Sequence, residues 1–448
     1  MKKNEVFSVS EHGIIVSGSS NRSANKGKTL ILDERRYKEL QEFIYECRKS
    51  KNEELSNFIK QGHRSSYGDV FVIGHYAGLI QLKTGLTIEI LPKICQDIDT
   101  DIDSSNVRAR KVLMKMLEAL KDAPFRKHGY ADLQTKDMIL FEIFIQMFVE
   151  ELLFLIKRGL MSDYLSTEEN AKFMKGKFLV PDNIRYNLIR KDRFYVKYDE
   201  FSNSRPENKL IKSTLLFLMK KSQRDKNIKN IKVCLEHLAE IPCSTNYDND
   251  FSKCRINRLN AKYENVIKWC RVFLNNQSFT NDFGDTKAIA LLYPMQTLFE
   301  NYIAVELKKS GVFDEITAQE NKYSLAKFET KDIFKLRPDI VAGRDNQIHI
   351  LDTKWKLLLT DKLFNSISQS DMYQMLSYAT VYKKYNSDKT IILYLLYPRT
   401  EKFFTEVQFT LNNRSETKIR IIPCDIEDIQ TTFRNLKNIL SPLQGLNP

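Results

Sequence analysis

The sequence predicts a chain of mixed architecture, with a β-rich N-terminal part, a mainly helical middle and an α/β C-terminal third. Three observations carry this reading. Short apolar runs punctuated by glycine fill the first part. Apolar residues at helical spacing dominate the middle. In the last third, helix, hairpin, helix and strand patterns follow one another.

Residues 1–104 form the β-rich part. Phe71-Val72-Ile73 and Leu79-Ile80-Gln81-Leu82 are strand-like runs between Gly74, Gly78 and Gly85. Leu86 to Ile90 alternates with period two before Pro92. One helix over 33–49 is inserted, with Asp33 as its cap and Tyr37, Leu40, Phe43 and Ile44 on one face. Residues 96–106 are acidic and polar and read as a linker.

Residues 105–285 form the helical middle. Val112, Leu113, Met116 and Leu120 follow helical spacing, as do Ile139, Phe144, Phe148, Leu152 and Leu155 within 135–158. Further helices are predicted over 207–224, 227–239 and 258–275, with loops at 244–252 and 276–285. Residues 286–448 form the α/β part: a helix over 294–309, hairpin patterns, a helix over 370–384 and the apolar strand Ile391 to Leu396.

The chain has 448 residues, enough for two to four domains, and its 42% hydrophobic content supplies real cores. A net charge of +13 points to a polyanionic partner such as DNA, or to a soluble basic protein of a Lys-rich genome. The seven cysteines form no C-x-x-C pair and the histidines no metal-ligand spacing, so neither a disulfide framework nor a zinc site is predicted. With no apolar leader at the N-terminus and no long apolar run, the expectation is a cytoplasmic protein without a membrane partner.

The chemistry concentrates in Arg337-Pro338-Asp339 to Asp352-Thr353-Lys354. Gly343 to Asn346 is turn chemistry and its flanks are β-prone, which predicts a hairpin. A four-residue loop would pair Ala342 with Gln347 and set Asp339 opposite Ile350. Side chains alternate along strands, so Asp339, Ile350, Asp352 and Lys354 share a face. Two carboxylates converging there repel each other unless a divalent cation neutralises them, and carboxylate oxygens with a substrate phosphate suit Mg2+. Lys354 would then orient or help deprotonate the attacking water and stabilise charge on phosphate. Without a metal the same pattern is a surface hairpin with an Asp–Lys ion pair.

Two more features sit nearby. Glu300 lies on the helix that Pro294 opens, where Met295, Leu298, Phe299 and Tyr302 form a core stripe. It is either a solvated residue or a candidate to complete the metal shell. Gln374 and Tyr378 lie one turn apart on the following helix, placed to bind a DNA phosphate or to hold the lysine, if the helix is not simply amphipathic.

These residues resemble the PD-(D/E)xK nuclease superfamily, and more specifically the McrC family of McrBC-type modification-dependent restriction systems. Leu291 to Tyr302 is similar to that family's helix before the nuclease hairpin. Asp352-Thr353-Lys354-Trp355-Lys356 resembles its D-T-K-x-K strand, and Gln374 with Tyr378 resembles the Q-x-x-x-Y helix of RecB-like nucleases. His75 to Ile80, Ile88 to Ile94, Tyr198 to Ser202 and Glu207 to Leu210 are similar to the family's N-terminal and middle signatures, so the likeness spans most of the chain.

The resemblance implies a Mg2+-dependent DNA endonuclease subunit, with Mn2+ as a substitute ion. Asp339 and Asp352 would hold the metal and Lys354 and Glu300 would complete the catalytic set. Gln374, Tyr378 and Lys356 would support it or touch DNA. It also implies an AAA+ McrB-like GTPase ring as partner, stimulated by this chain and contacted by residues 1–104, and 5-methylcytosine as the modification. The chain has no phosphate-binding G-x-x-x-x-G-K-[ST] loop of its own. Two alternatives stay open: a non-catalytic activator of the GTPase, and a stand-alone nuclease.

Overall fold

A computed structural model describes residues 5–18, 24–26, 28–49, 58–82, 84–95, 102–120, 124–125, 138–258, 260–275, 289–358, 366–411 and 414–440. The chain divides into two compact units, Met1–Asp137 with Ala290–Pro448, and Met138–Ile289. Among the described residues no helix is long and apolar enough to cross a membrane.

The N-terminal half of the first unit is β-rich. One five-stranded sheet runs Ala24–Lys26, Thr29–Asp33, Ile14–Gly18, Gly68–Ile73, Ile59–Arg64. The predicted helix follows as Glu34–Lys49, and the Asp33 carboxylate accepts the Arg36 N–H at 3.1 Å, the N-cap geometry expected of it. A four-stranded sheet runs Val6–Ser10, Thr87–Leu91, Tyr76–Gln81, Ile289–Pro294. Its last strand leads straight into the helix Met295–Ser310, so the β-rich region and the C-terminal third share a sheet.

That shared sheet depends on Gly78. Its φ is +141°, and a Cβ there would lie 1.9 Å from the Leu291 carbonyl oxygen. Only glycine combines that backbone conformation with so close an approach.

The C-terminal third is a six-stranded sheet in the order Glu315–Ala318, Ile340–Arg344, Gln347–Thr353, Thr390–Pro398, Arg414–Cys424, Val407–Leu411. Gln347–Thr353 pairs antiparallel with Ile340–Arg344 and parallel with Thr390–Pro398. The helix Gln369–Tyr385 is the crossover between those parallel strands. Its Met375, Tyr378, Ala379 and Tyr382 pack with Ile350, Leu393, Leu395, Ile419 and Ile421 in one core. Burying each such large apolar side chain contributes about 2 kcal/mol, which fixes the helix over the sheet.

The hairpin corrects the expected register. Arg344 pairs with Gln347, leaving a two-residue turn, Asp345-Asn346, with φ of 48° and 60°. Asp and Asn tolerate this left-handed conformation, and a two-residue turn with both φ positive matches the twist of a hairpin. Relative to a four-residue loop, each residue's partner moves by two positions. A shift of two preserves side-chain parity, so the expectation for Asp339, Asp352 and Lys354 survives a wrong loop length.

The second unit departs further from expectation. Its helices include Leu140–Lys157, Pro206–Lys221, Asp225–Glu236 and Glu264–Asn275, close to the expected spans. It also contains a three-stranded sheet, Lys177–Phe178, Phe194–Ser202, Asp163–Ala171, which the helical reading missed. The period-two pattern of Phe194-Tyr195-Val196-Lys197-Tyr198 was its signal. The expected loop at 244–252 instead holds the helix Tyr247–Lys253, whose cap Asn246 accepts the Asn249 N–H at 3.0 Å. The loop expected at 276–285 lies outside the described residues, as do 96–101 of the expected linker. Residues 102–106 of that linker begin the helix Ile102–Glu118. Asp103 in its first turn favours the positive helix end, which explains an acidic segment in helical form.

Asn208, part of the Glu207 to Leu210 signature, has a structural role. It is fully buried, its amide donates to the Met161 and Asn203 carbonyls at 3.1 and 2.8 Å, and its oxygen accepts the Tyr263 hydroxyl at 2.9 Å.

Gly78→Ala is expected to destabilise the first unit by about 1–3 kcal/mol, since strained φ and backbone overlap act together. Thermal unfolding of the purified variant checks this; an unchanged Tm would show that the strand Ile289–Pro294 is not locked by that approach.

Candidate active site

Asp352 lies near the C-terminal end of the strand Gln347–Thr353, beside the parallel strand that carries Leu395. Crevices at such strand ends are where open α/β sheets hold ligands. Asp352 is 1% exposed. Its carboxylate is ion-paired with the Lys354 ammonium. Asp339 stands just before the first hairpin strand, and its Oδ2 accepts both the Thr353 N–H and the Thr353 hydroxyl at 2.7 Å. The Asp339 carbonyl accepts the Gln319 N–H at 2.8 Å. The acid before the strand is thus held against the acid on it.

Lys354 is fixed by a chain of hydrogen bonds. Its ammonium donates to Gln374 Oε1 at 2.9 Å. Gln374 Nε2 donates to the Tyr378 hydroxyl at 2.8 Å, and that hydroxyl donates to the Arg337 carbonyl at 3.0 Å. Of the two roles expected for the Gln–Tyr pair, the geometry displays the second: it holds the lysine, and also the segment that delivers Asp339. Lys356, 45% exposed, donates to Asp371 Oδ2 at 2.8 Å, so it borders the site without entering it.

Glu300, on the helix Met295–Ser310, is half-buried and accepts from the Gln319 side chain. Among the described residues, the trio of ligand-type side chains with donor atoms within 4.8 Å of one another is elsewhere, at Glu11, His12 and His75. Glu300 therefore lies at the edge of the site and does not close a three-carboxylate cage with Asp339 and Asp352 in this geometry. It still senses them. Burial first, then Asp339 and Asp352, push its carboxyl up to about 7.

Three residues in the network were not anticipated. Gln296, one turn before Glu300, donates to the Thr353 carbonyl at 2.7 Å and accepts the Trp355 N–H at 2.9 Å, bracketing Lys354 by its neighbours. Gln319 bridges Glu300 and the Asp339 backbone. Asp371, buried, accepts from Lys356 and from the Tyr397 hydroxyl at 3.2 Å. Gln296 and Glu300 share a helix face by their spacing of four, a signal that could have found the first. Asp371 likewise shares a helix face with Gln374 and Tyr378, three and seven residues on, whereas Gln319 carries no such signal.

The electrostatics are costly. Burial, then the Asp339 charge, raise the Asp352 carboxyl to about 6 against the pull of Lys354. Burial also raises that of Asp339, against its bonds to Thr353. Desolvating a carboxylate costs several kcal/mol, whereas an exposed Asp–Lys pair contributes at most about 1 kcal/mol. A surface hairpin with an ion pair does not account for this arrangement. One ammonium beside two desolvated carboxylates leaves room for positive charge, and the all-oxygen donor set fits a hard divalent cation.

The sign of the pH dependence follows. A carboxyl whose folded pKa is raised contributes stability at low pH, and that contribution is lost as pH rises through the folded value, about 6 for Asp352. In metal-free buffer this group is therefore expected to lower Tm as pH rises from the ordinary aspartate value of 3.8 to about 6, with little further loss above that. Asp352→Asn is expected to flatten that loss by a few degrees or so. Parallel slopes for wild type and variant would show that Asp352 is not a strained charge.

No curated protein matches the chain in sequence. The fold is similar to that of a chain in the refined half-complex from the tetradecameric assembly of Thermococcus gammatolerans McrB AAA+ hexamers with bound McrC, at 16% identity and a TM-score of 0.68, covering 97% of this chain and 100% of that one. A chain of the cryo-EM structure of the Thermococcus gammatolerans McrBC complex aligns over 68% of this chain and 88% of its own, at 16% identity and a TM-score of 0.49. The sequence profile described as McrBC 5-methylcytosine restriction system component matches residues 72–398, which include all the residues of the site. The chain belongs to that family, as its resemblance to McrC chains led us to expect.

Proposed function

We propose that this chain is the Mg2+-dependent, PD-(D/E)xK-type DNA endonuclease subunit of an McrBC-type restriction system. The observation that carries the reading is the desolvated Asp339–Asp352 pair beside a lysine locked by Gln374 and Tyr378.

Asp339 and Asp352 are the residues to hold Mg2+, with Mn2+ as a substitute. When bound, the ion supplies Lewis-acid stabilisation of negative charge on the scissile phosphate. Lys354 orients the attacking water and stabilises the charge that grows on the phosphate oxygens. The Gln374 carbonyl keeps the ammonium aimed, so it need not reorganise during the reaction. Glu300, with its carboxyl near neutrality, is suited to accept or return a proton at the edge of the site. Lys356 is a candidate phosphate contact, because nearly half of its side chain is exposed.

The partner we propose is an AAA+ McrB-like GTPase ring, since the structurally similar complex contains McrB AAA+ hexamers with bound McrC. This chain lacks a phosphate-binding loop, so GTP hydrolysis belongs to the ring, which it stimulates. The β-rich N-terminal region is the proposed ring contact. Recognition of 5-methylcytosine falls to the partner. The enzyme is proposed to act in the cytoplasm, where foreign DNA enters.

The test is cleavage of methylated DNA by the full chain with its ring partner, GTP and Mg2+. Asp352→Ala and Lys354→Ala are expected to lower the rate by at least about 100-fold, while GTPase stimulation persists. Retained cutting would sink the assignment, and stimulation with no cutting by wild type would make the chain a pure activator. Gln374→Ala is expected to cost about 10–100-fold in cleavage rate, as loss of a positioning partner does. A wild-type rate would show that the lysine needs no such support.

A further inference from the structure

A second cluster lies outside this site, where two turns of the β-rich region meet. Glu11 and His12 occupy the turn after the strand Val6–Ser10, and His75 occupies the turn before Tyr76–Gln81. The turns are tied together, since the Ile73 N–H donates to the Gly13 carbonyl at 3.0 Å. His12 has a φ of 60°, a left-handed conformation that a non-glycine residue adopts at a cost of about 1–3 kcal/mol. The two imidazoles meet edge to face with centroids 4.3 Å apart.

Glu11 lies beneath them with its side chain fully shielded from solvent. One carboxylate oxygen, Oε1, accepts the Trp355 indole N–H at 2.6 Å and the Lys93 N–H at 3.1 Å. The other, Oε2, has no hydrogen-bond partner. It faces His12 Nε2 at 3.8 Å and the Lys93 ammonium at 3.9 Å. Those separations are too long for hydrogen bonds. A buried carboxylate oxygen without a donor is costly. A separation of 3.8 Å between oxygen and nitrogen is, however, what two metal bonds of about 2.0–2.2 Å span at an open angle. One donor atom from each of Glu11, His12 and His75 lies within 4.8 Å of the other two.

We propose that Glu11, His12 and His75 form a binding site for a divalent transition-metal ion of the zinc class, distinct from the Asp339–Asp352 pair. Two imidazole nitrogens and one carboxylate oxygen suit Zn2+ and not Mg2+, which takes oxygen ligands. Water completes the shell. The ion would brace the active site from behind. Glu11 anchors Trp355, the residue after Lys354, and the His75 carbonyl accepts the Met295 N–H at 2.9 Å at the start of the helix that carries Glu300.

The experiment is equilibrium dialysis of the full chain against Zn2+ alone, followed by metal analysis, with Co2+ substitution read by visible absorption. The expected result is about one ion per chain, with a Co2+ spectrum free of thiolate charge-transfer bands. His12→Gln and His75→Gln are expected to lose the ion while far-ultraviolet circular dichroism stays native. Asp339→Asn and Asp352→Asn are expected to keep it. Three results would overturn the proposal: no retained ion in natively folded wild type, equal uptake by the histidine variants, or a thiolate band placing the ion on a cysteine.

Discussion

The desolvation of two neighbouring carboxylates is the constraint around which the C-terminal third is organised. Asp352 is placed by an interior strand of a six-stranded sheet, hydrogen-bonded on both sides, so it cannot move away from Asp339 without breaking the sheet. Asp339 cannot leave either, because Thr353 grips its carboxylate by both N–H and hydroxyl. Such a pair weakens the folded state at neutral pH. That cost is what supports the proposed reading of the pair as a metal-binding site.

The surrounding residues hold that costly pair in place. Hydrogen bonds run from Lys354 through Gln374 and Tyr378 to the backbone just ahead of Asp339, so one helix controls the lysine and one acid together. From another side, Gln296 brackets the backbone around Lys354, and Gln319 joins Glu300 to the Asp339 segment. The core between the Gln369–Tyr385 helix and the sheet keeps this polar chain in register.

The β-rich region belongs to the same architecture. Gly78 lets Tyr76–Gln81 and the strand leading to the Glu300 helix approach closely, and Glu11 reaches across to Trp355. An event at the N-terminal turns therefore bears on residues adjacent to the lysine and the glutamate. That continuity gives a physical route by which a contact on the β-rich region could be felt at the site.

The sequence by itself determined which residues share a side of the hairpin, but not which partners they face across it. Period-two alternation is a property of any strand, so Asp339, Asp352 and Lys354 share a side even though the expected turn was two residues too long. The Asp33 cap and the Gln374–Tyr378 pair were legible for the same reason: their geometry is local, within one helical turn. Tertiary structure alone decided the rest. Gln319 reaches the site from a segment with no periodic link to it, and Glu11 meets Trp355 across most of the chain. In the sheet at 163–202 only Phe194 to Tyr198 carries a period-two pattern, while its partner strand Asp163–Ala171 is mostly polar, so the pairing itself was not legible. Local sequence sets the direction of a side chain, whereas the order of strands in a sheet and the helices laid over it set what that side chain meets.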